Sequence, residues 1–254
     1  MTNNVRLFAI INAITLAFVV AMNGLANGLP LNNRTTGELS DTVNVLFTPA
    51  GYVFSIWGLI YLLLAIWVVR SFFTKQGTDE RAILSIGYLF VFNGIFNVAW
   101  LFSFHYELFT FTIVPMVALL LTIIVIYYRI KQVGASIWTR LPFSVYMGWV
   151  SVATIVNIGI FFNSISDGNG IILSNVAWTI ILLPIGAVLA AGISYYLKDA
   201  VYSLVFIWAY IGIAIERMGT YPSISLTAAI VAGVLIAVTI YLIIRLKALI
   251  KIEV

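Results

Sequence analysis

Long apolar runs, broken by short polar stretches, recur along the whole chain. A helix needs about 20 apolar residues to cross the hydrocarbon core of a bilayer, and its backbone groups must pair internally there. The pattern therefore predicts eight spanning helices, at residues 7–29, 48–73, 83–104, 108–129, 139–163, 171–196, 200–216 and 224–246. The longest connection, 30–47, holds Pro30, Gly37, Glu38 and Asp41. The other connections are tight, so each helix should run antiparallel to its neighbours in sequence. The first run follows Arg6 and reads as a retained helix. It continues to Leu29 and carries Asn12, Asn23 and Asn27 on one side, unlike a cleaved leader.

Polar and aromatic positions inside the runs are ordered. The second segment has Phe54, Trp57 and Tyr61 at i, i+3 and i+7. The third has Asn93, Asn97 and Trp100 at i, i+4 and i+7, and the fifth has Tyr146, Trp149, Ala153 and Asn157. At about 100° per residue each set shares one helix face. An amide in hydrocarbon prefers an internal partner, so these faces should turn into the bundle. Aromatic walls with a few fixed hydrogen-bonding groups suit a flat, largely apolar ligand. The same residues also fit a purely structural role, because Asn bridges membrane helices and Trp and Tyr favour the interface.

Three motifs carry a family resemblance. The stretch Phe47-Thr48-Pro49-Ala50-Gly51-Tyr52-Val53-Phe54-Ser55-Ile56-Trp57-Gly58-Leu59-Ile60-Tyr61 resembles the second-helix motif of the TspO/MBR family, a proline pair and an aromatic followed by Trp-x-x-x-Tyr. These tryptophan-rich sensory proteins include the mitochondrial translocator protein, or peripheral benzodiazepine receptor. Asn97-Val98-Ala99-Trp100 resembles the family's third-helix Asn-x-x-Trp, and Tyr146, Trp149, Ala153 and Asn157 resemble its fifth-helix pattern. The resemblance covers about residues 5–163.

It implies a five-helix bundle with a pocket beneath the long first loop. It also implies binding of porphyrins and, in some members, of sterols or synthetic aromatic ligands. By position, Trp57, Asn97, Trp100, Trp149 and Ala153 would line that pocket. Pro49, Phe54, Tyr61 and Tyr146 complete the candidate ligand-binding set, and Asn157 would be a packing amide deeper in the bundle. Some bacterial relatives promote light-dependent porphyrin breakdown, for which the implied residues are Trp57 and Trp149. The chain departs from the family pattern at Ala50, where the second proline of the pair is expected, and at Val145, where a proline usually precedes Tyr146. Pro142, three residues earlier, can move that helix kink by about one turn. Residues 164–254 add three helices, which can cover the family's dimer surface. The expected architecture is an all-α integral membrane protein, with a five-helix domain over 1–163 and a three-helix extension over 164–254.

Composition narrows the chemistry. The chain is 63% hydrophobic and 9% charged, too apolar for a soluble domain of 254 residues. It has no Cys and only one His, which excludes disulfides, thiolate chemistry and a multi-histidine metal site. Its basic residues are dispersed at helix ends, which argues against nucleic acid. With eight spans, eleven of the thirteen Lys and Arg fall on the side of both termini, and only Arg34 and Arg217 on the other. The positive-inside rule then makes both termini cytoplasmic, in what we read as a bacterial inner membrane.

No Asp, Glu or His falls mid-span, so acid–base catalysis and ion-coupled pumping lack their groups. The reading is a receptor or binding protein for a planar hydrophobic ligand such as a porphyrin, without a metal or resident cofactor. The alternatives are a passive carrier of a tetrapyrrole or lipid-like ligand, and photo-oxidative porphyrin breakdown through Trp57 and Trp149. The partners expected are that small molecule and the bilayer, and a homodimer is left open. Among lesser features, His105 reads as a wet interfacial residue and Glu216-Arg217 as a surface ion pair or snorkelling pair. Glu38 and Asp41 read as solvated, and Asn175 with Trp178 as a small polar contact. Pro184 can kink the sixth helix. Ala229, Gly233 and Ala237 form a small-residue face suited to close packing.

Overall fold

The computed structural model describes residues 3–29, 31–43, 45–166 and 172–250, without the side chains of Asn27, Asp41 and 246–250. Pro30, Lys251 and the side chains of Asn27, Asp41 and Lys247, on which the sequence reading drew, lie outside the described residues. Among these residues the chain forms helices and no strand. The helices are α1 (Asn3–Gly28), α2 (Thr36–Thr42), α3 (Ile56–Ser71), α4 (Thr78–Ile86), α5 (Leu89–His105), α6 (Phe109–Gln132), α7 (Ile137–Ile165), α8 (Asn175–Leu197), α9 (Ala200–Arg217) and α10 (Pro222–Ile250). A 3-10 turn, Gly51–Ser55, leads into α3.

Among the described residues seven helices are long and apolar enough to cross a membrane, and an eighth is counted where α4 and α5, bent by 54°, are taken as one span. The third span is therefore broken where sequence predicts a continuous helix. Gly87 sits at φ 53, ψ −131, a conformation open chiefly to glycine. The break lets α4 pack on both α1 and α6. Its first turn is pinned by Asp79, whose carboxylate accepts from the Ser136 N–H at 2.8 Å and hydroxyl at 2.7 Å. α6 through α8 are continuous despite Pro115, Pro142 and Pro184.

The polarity is inverted relative to a soluble protein. Ile14, Phe18, Leu62, Val114, Leu121, Val188 and Ile230 are exposed, whereas Asn12, Asn93, Asn97, Asn157, Thr154 and Thr239 are buried. Such a surface needs lipid around it, and the protein is an integral membrane protein. Helices in lipid associate through close packing and interhelical hydrogen bonds. α1, α3, α5, α6 and α7 form one bundle, α8 packs on α9 and α10, and the two groups meet along α7 and α9. Asn93 ties α5 to α6, donating to the Leu119 carbonyl at 3.2 Å and to the Thr122 hydroxyl at 2.8 Å.

The small-residue face expected on α10 does not pack: Ala229, Gly233 and Ala237 are exposed. The buried face is that of Ala228, Ala232, Leu235 and Thr239. The Thr239 hydroxyl donates to Ser203 on α9 at 3.0 Å. An offset of one residue turns a helix face by about 100°, and the paired hydroxyls favour this one.

Candidate functional site

At the end of the bundle that carries the α1–α3 connection, three helices bring their aromatic residues to a common cavity. Pro49, Phe54 and Trp57 come from the start of the second span, Trp100 and Phe104 from α5, and Trp149, Val152, Ala153, Val156, Asn157 and Ile160 from α7. Phe54 and Trp57 each meet Trp149 edge to face, with centroids 5.7 and 6.4 Å apart. Trp100 stacks on Phe104 at 5.2 Å. The cavity measures about 30 Å³, room for about two waters. The rings fill most of the space between them.

Six candidate residues line this space: Pro49, Phe54, Trp57, Trp100, Trp149 and Ala153. Tyr61, Asn97 and Tyr146 are not on its wall, since each lies one helical turn further from the loop and forms the layer below. Tyr61 stacks under Trp57 at 5.6 Å, and Tyr146 meets the same indole at 5.8 Å. Asn97 joins α1, α5 and α7, accepting from Asn23 at 2.9 Å and donating to the Tyr146 hydroxyl at 3.4 Å. Asn157, expected deeper, is instead on the wall, because it is two turns nearer the loop than Trp149. Three polar atoms on this lining are buried with no partner among the described residues: the Asn157 Oδ1 and the indole N–H groups of Trp100 and Trp149.

The roof is α2, within what the sequence pattern presents as an irregular connection. Thr35 caps it: the Glu38 N–H donates to the Thr35 hydroxyl at 3.2 Å, and the Thr35 N–H donates to the Glu38 carboxylate at 2.8 Å. This is a reciprocal capping box. These bonds from Thr35 hold the Glu38 carboxyl below its ordinary pKa. Thr36 and Ser40 face the cavity and Leu39 is buried.

His105, expected in a wet loop, is buried beneath α2. Its Nδ1 lies 2.9 Å from the Leu101 carbonyl and must be the donor there, and its Nε2 lies 3.4 Å from the Thr36 hydroxyl. Asn32 donates to the His105 carbonyl at 3.1 Å, and Arg34 pairs with Glu107 at 3.5 Å on the surface. Three residues of the loop region, Asn32, Arg34 and Thr36, thus tether the roof to the end of α5.

Pro49 on the cavity wall belongs to an irregular strap, residues 45–50, which α9 holds. Irregular carbonyls lack helical partners and must find others. Arg217 supplies them, donating to the carbonyls of Leu46 at 3.2 Å, Thr48 at 3.3 Å and Val45 at 3.4 Å. The surface ion pair expected of Glu216-Arg217 is thus replaced by a clasp on the strap. The Trp208 indole donates to the Val53 carbonyl at 3.2 Å, and a methyl group on Gly212 would overlap Val53 and Pro49. The Ala50 N–H donates to the Gly212 carbonyl at 3.3 Å. A proline at 50 has no such N–H, so the departure from the Pro-Pro motif supplies a docking bond to the C-terminal helices.

A family model described as TSPO-like protein matches residues 9–241, a range that reaches into every spanning helix, the three C-terminal ones included. No match was found among curated proteins or solved structures. The match covers most of the sequence and agrees with the three motifs: the chain belongs to the family of TSPO-like proteins.

Proposed function

We propose that this protein is a membrane receptor for a planar, largely hydrophobic small molecule of the porphyrin type, taken up between Trp57, Trp100 and Trp149 beneath α2. The observation that carries the reading is the set of unpartnered polar atoms on an otherwise aromatic wall. Two indole donors and one amide acceptor are buried there without partners among the described residues, and a buried polar group left unpaired costs about 1–3 kcal/mol. A flat ligand with polar substituents at its edge relieves that cost while its faces meet the rings. The present volume is far below that of a tetrapyrrole, so uptake requires α2 to lift and the rings of Trp57 and Trp149 to part. Gating of this kind lowers association rates below the usual 10⁵–10⁷ M⁻¹s⁻¹ range.

Cations concentrate on the side of the α3–α4, α6–α7 and α8–α9 connections, which supports cytoplasmic termini and a pocket roofed on the opposite face. The edge-to-face contact of Trp57 with Trp149 favours a second reading, in which bound porphyrin, excited by light, is oxidised by dissolved dioxygen beside the paired indoles.

Titration of the purified protein with protoporphyrin IX in the dark, followed by tryptophan fluorescence, tests the first reading. The expected result is saturable quenching in the micromolar range, weakened in Trp57→Phe and Trp149→Phe proteins that melt normally. Quenching that never saturates, or is equal in all three proteins, defeats it. Illumination of the complex then tests the second: ligand loss only in light, and only with both indoles present, would establish it.

A further inference from the structure

A second cleft lies outside the aromatic bundle. α8 packs on α9 and α10 but makes no comparable contact with α7, which leaves a groove along α7. One half is bordered by Gly159, Phe162 and Trp178, the other by Leu120, Tyr127, Ser151, Ile193 and Phe206, and Ile155 belongs to both. Their volumes are about 380 and 410 Å³. From Met147 to Asn163 the groove follows α7 for about 24 Å, most of the roughly 30 Å hydrocarbon core.

The half that includes Tyr127 differs from its neighbour in how it ends. Its walls are apolar, and the Tyr202 hydroxyl on its floor donates to Ser151 at 2.8 Å. At its mouth the Tyr127 hydroxyl donates to Asp199, which also caps α9 by accepting from the Val201 N–H at 2.9 Å. Both carboxylate oxygens of Asp199 are therefore engaged. Around it stand three cations. Lys131 is one turn beyond Tyr127, Arg140 is two turns before Met147 on the same face of α7, and Lys198 is held in the left-handed region at φ 47. Lys131 lies close enough to Arg140, Lys198 and Asp199 to interact electrostatically with each. The Arg140 Nε is buried with no hydrogen-bond partner among the described residues.

We propose that this half of the groove binds an anionic phospholipid of the surrounding bilayer. The phosphate is held by Lys131, Arg140 and Lys198, and an acyl chain lies along α7 between Leu120 and Ile193. Three cations against one engaged carboxylate leave a positive mouth, and basic pockets between spanning helices select anionic headgroups in this way. The apolar groove alone would take any lipid chain. The cations make it selective, and they sit at one end of a groove deep enough to hold a chain.

The test reconstitutes the full-length protein in nanodiscs of equal phosphatidylglycerol and phosphatidylcholine and counts retained lipid by native mass spectrometry. The unaltered protein is expected to retain phosphatidylglycerol in preference to phosphatidylcholine. Lys131→Gln/Lys198→Gln should lose that preference by about fivefold per cation removed. Ile193→Trp fills the groove without changing its charge and should abolish retention; Leu120→Trp, on the opposite wall, serves the same purpose where Ile193→Trp fails to fold. Equal retention of both lipids by the unaltered protein, or a preference that survives the double substitution, overturns the site. Retention unchanged in the groove-filling variant places the lipid on the loop surface and overturns the groove.

Discussion

A buried amide in a membrane bundle is stabilising or costly according to its partners, and two asparagines here are opposite cases. Asn97 exchanges hydrogen bonds with Asn23 and Tyr146, whereas both polar atoms of the fully buried Asn12 lack partners among the described residues. Asn97→Leu should therefore destabilise the protein by about 1 kcal/mol, the scale of interhelical bonds in lipid. Asn12→Leu should be neutral or stabilising, since it removes an unpaired amide from an apolar site. Thermal melts of both variants in detergent micelles check the contrast, and equal losses would refute it. At this scale the sequence marks Trp57, Trp100 and Trp149 clearly, because an indole repeated at helical spacing inside an apolar run is chemically distinct. It does not mark Val152, Val156 or Ile160, which line the same cavity, since an aliphatic side chain there looks like lipid-facing Ile158. Spacing also places Asn157 on the correct face of α7 but says nothing about its height beneath a roof built by another segment.

Among elements, α2 is the one the hydrophobic pattern conceals. Seven residues are too few to display a helical period or to be stable alone, although Thr35-Thr36-Gly37-Glu38 already spells a capping box. Gly87 poses the complementary problem, because one glycine inside an apolar run fits either a continuous helix or a break. The grip of Asp79 on Ser136, remote in sequence, accompanies the break. His105 follows the same logic, for what buries it is α2, itself unseen in the periodicity. The cap makes α2 sensitive to acid. Glu38 has a folded pKa lowered by its bonds to Thr35. Its contribution is thus present above the unfolded value of about 4.3 and is lost as pH falls through the lower folded value. Hydrogen exchange at the Leu39 amide, which donates to the Thr35 carbonyl at 3.0 Å, reports the cap. Relative to Glu38→Ala, the unaltered protein should be protected at pH 6 and should lose that protection below about pH 4. A constant ratio between the two proteins would show that the capping box does not hold the roof.

On the scale of the whole molecule, the three helices that carry the aromatic motifs are not framed by their own bundle alone. The family resemblance is legible over residues 5–163, and the family match extends to 241, but only the packing reveals why the C-terminal helices matter to the cavity. α9 meets the strap through Gly212, which receives a backbone bond from Ala50, and through Arg217, and it holds the following turn through Trp208 at Val53. Two substitutions separate these contacts. Ala50 has φ −52, which proline adopts freely, so Ala50→Pro restores the family's proline pair and removes chiefly one N–H donor. The expected loss is about 0.5–1.5 kcal/mol, the net value of a single hydrogen bond. Arg217→Ala removes the donor to three strap carbonyls together; Val45 keeps the Thr48 N–H, and a loss above about 2 kcal/mol follows from leaving the carbonyls of Leu46 and Thr48 buried without partners. If the strap frames the cavity as the contacts indicate, both variants should also weaken protoporphyrin quenching, Arg217→Ala more than Ala50→Pro, though neither residue lines the site. Melting and fluorescence titration on the same samples provide both readouts. A variant that loses stability while keeping full affinity would mean that α9 supports the fold alone. Parallel losses in the predicted order would mean that the C-terminal helices hold the strap, and through it the pocket, in shape.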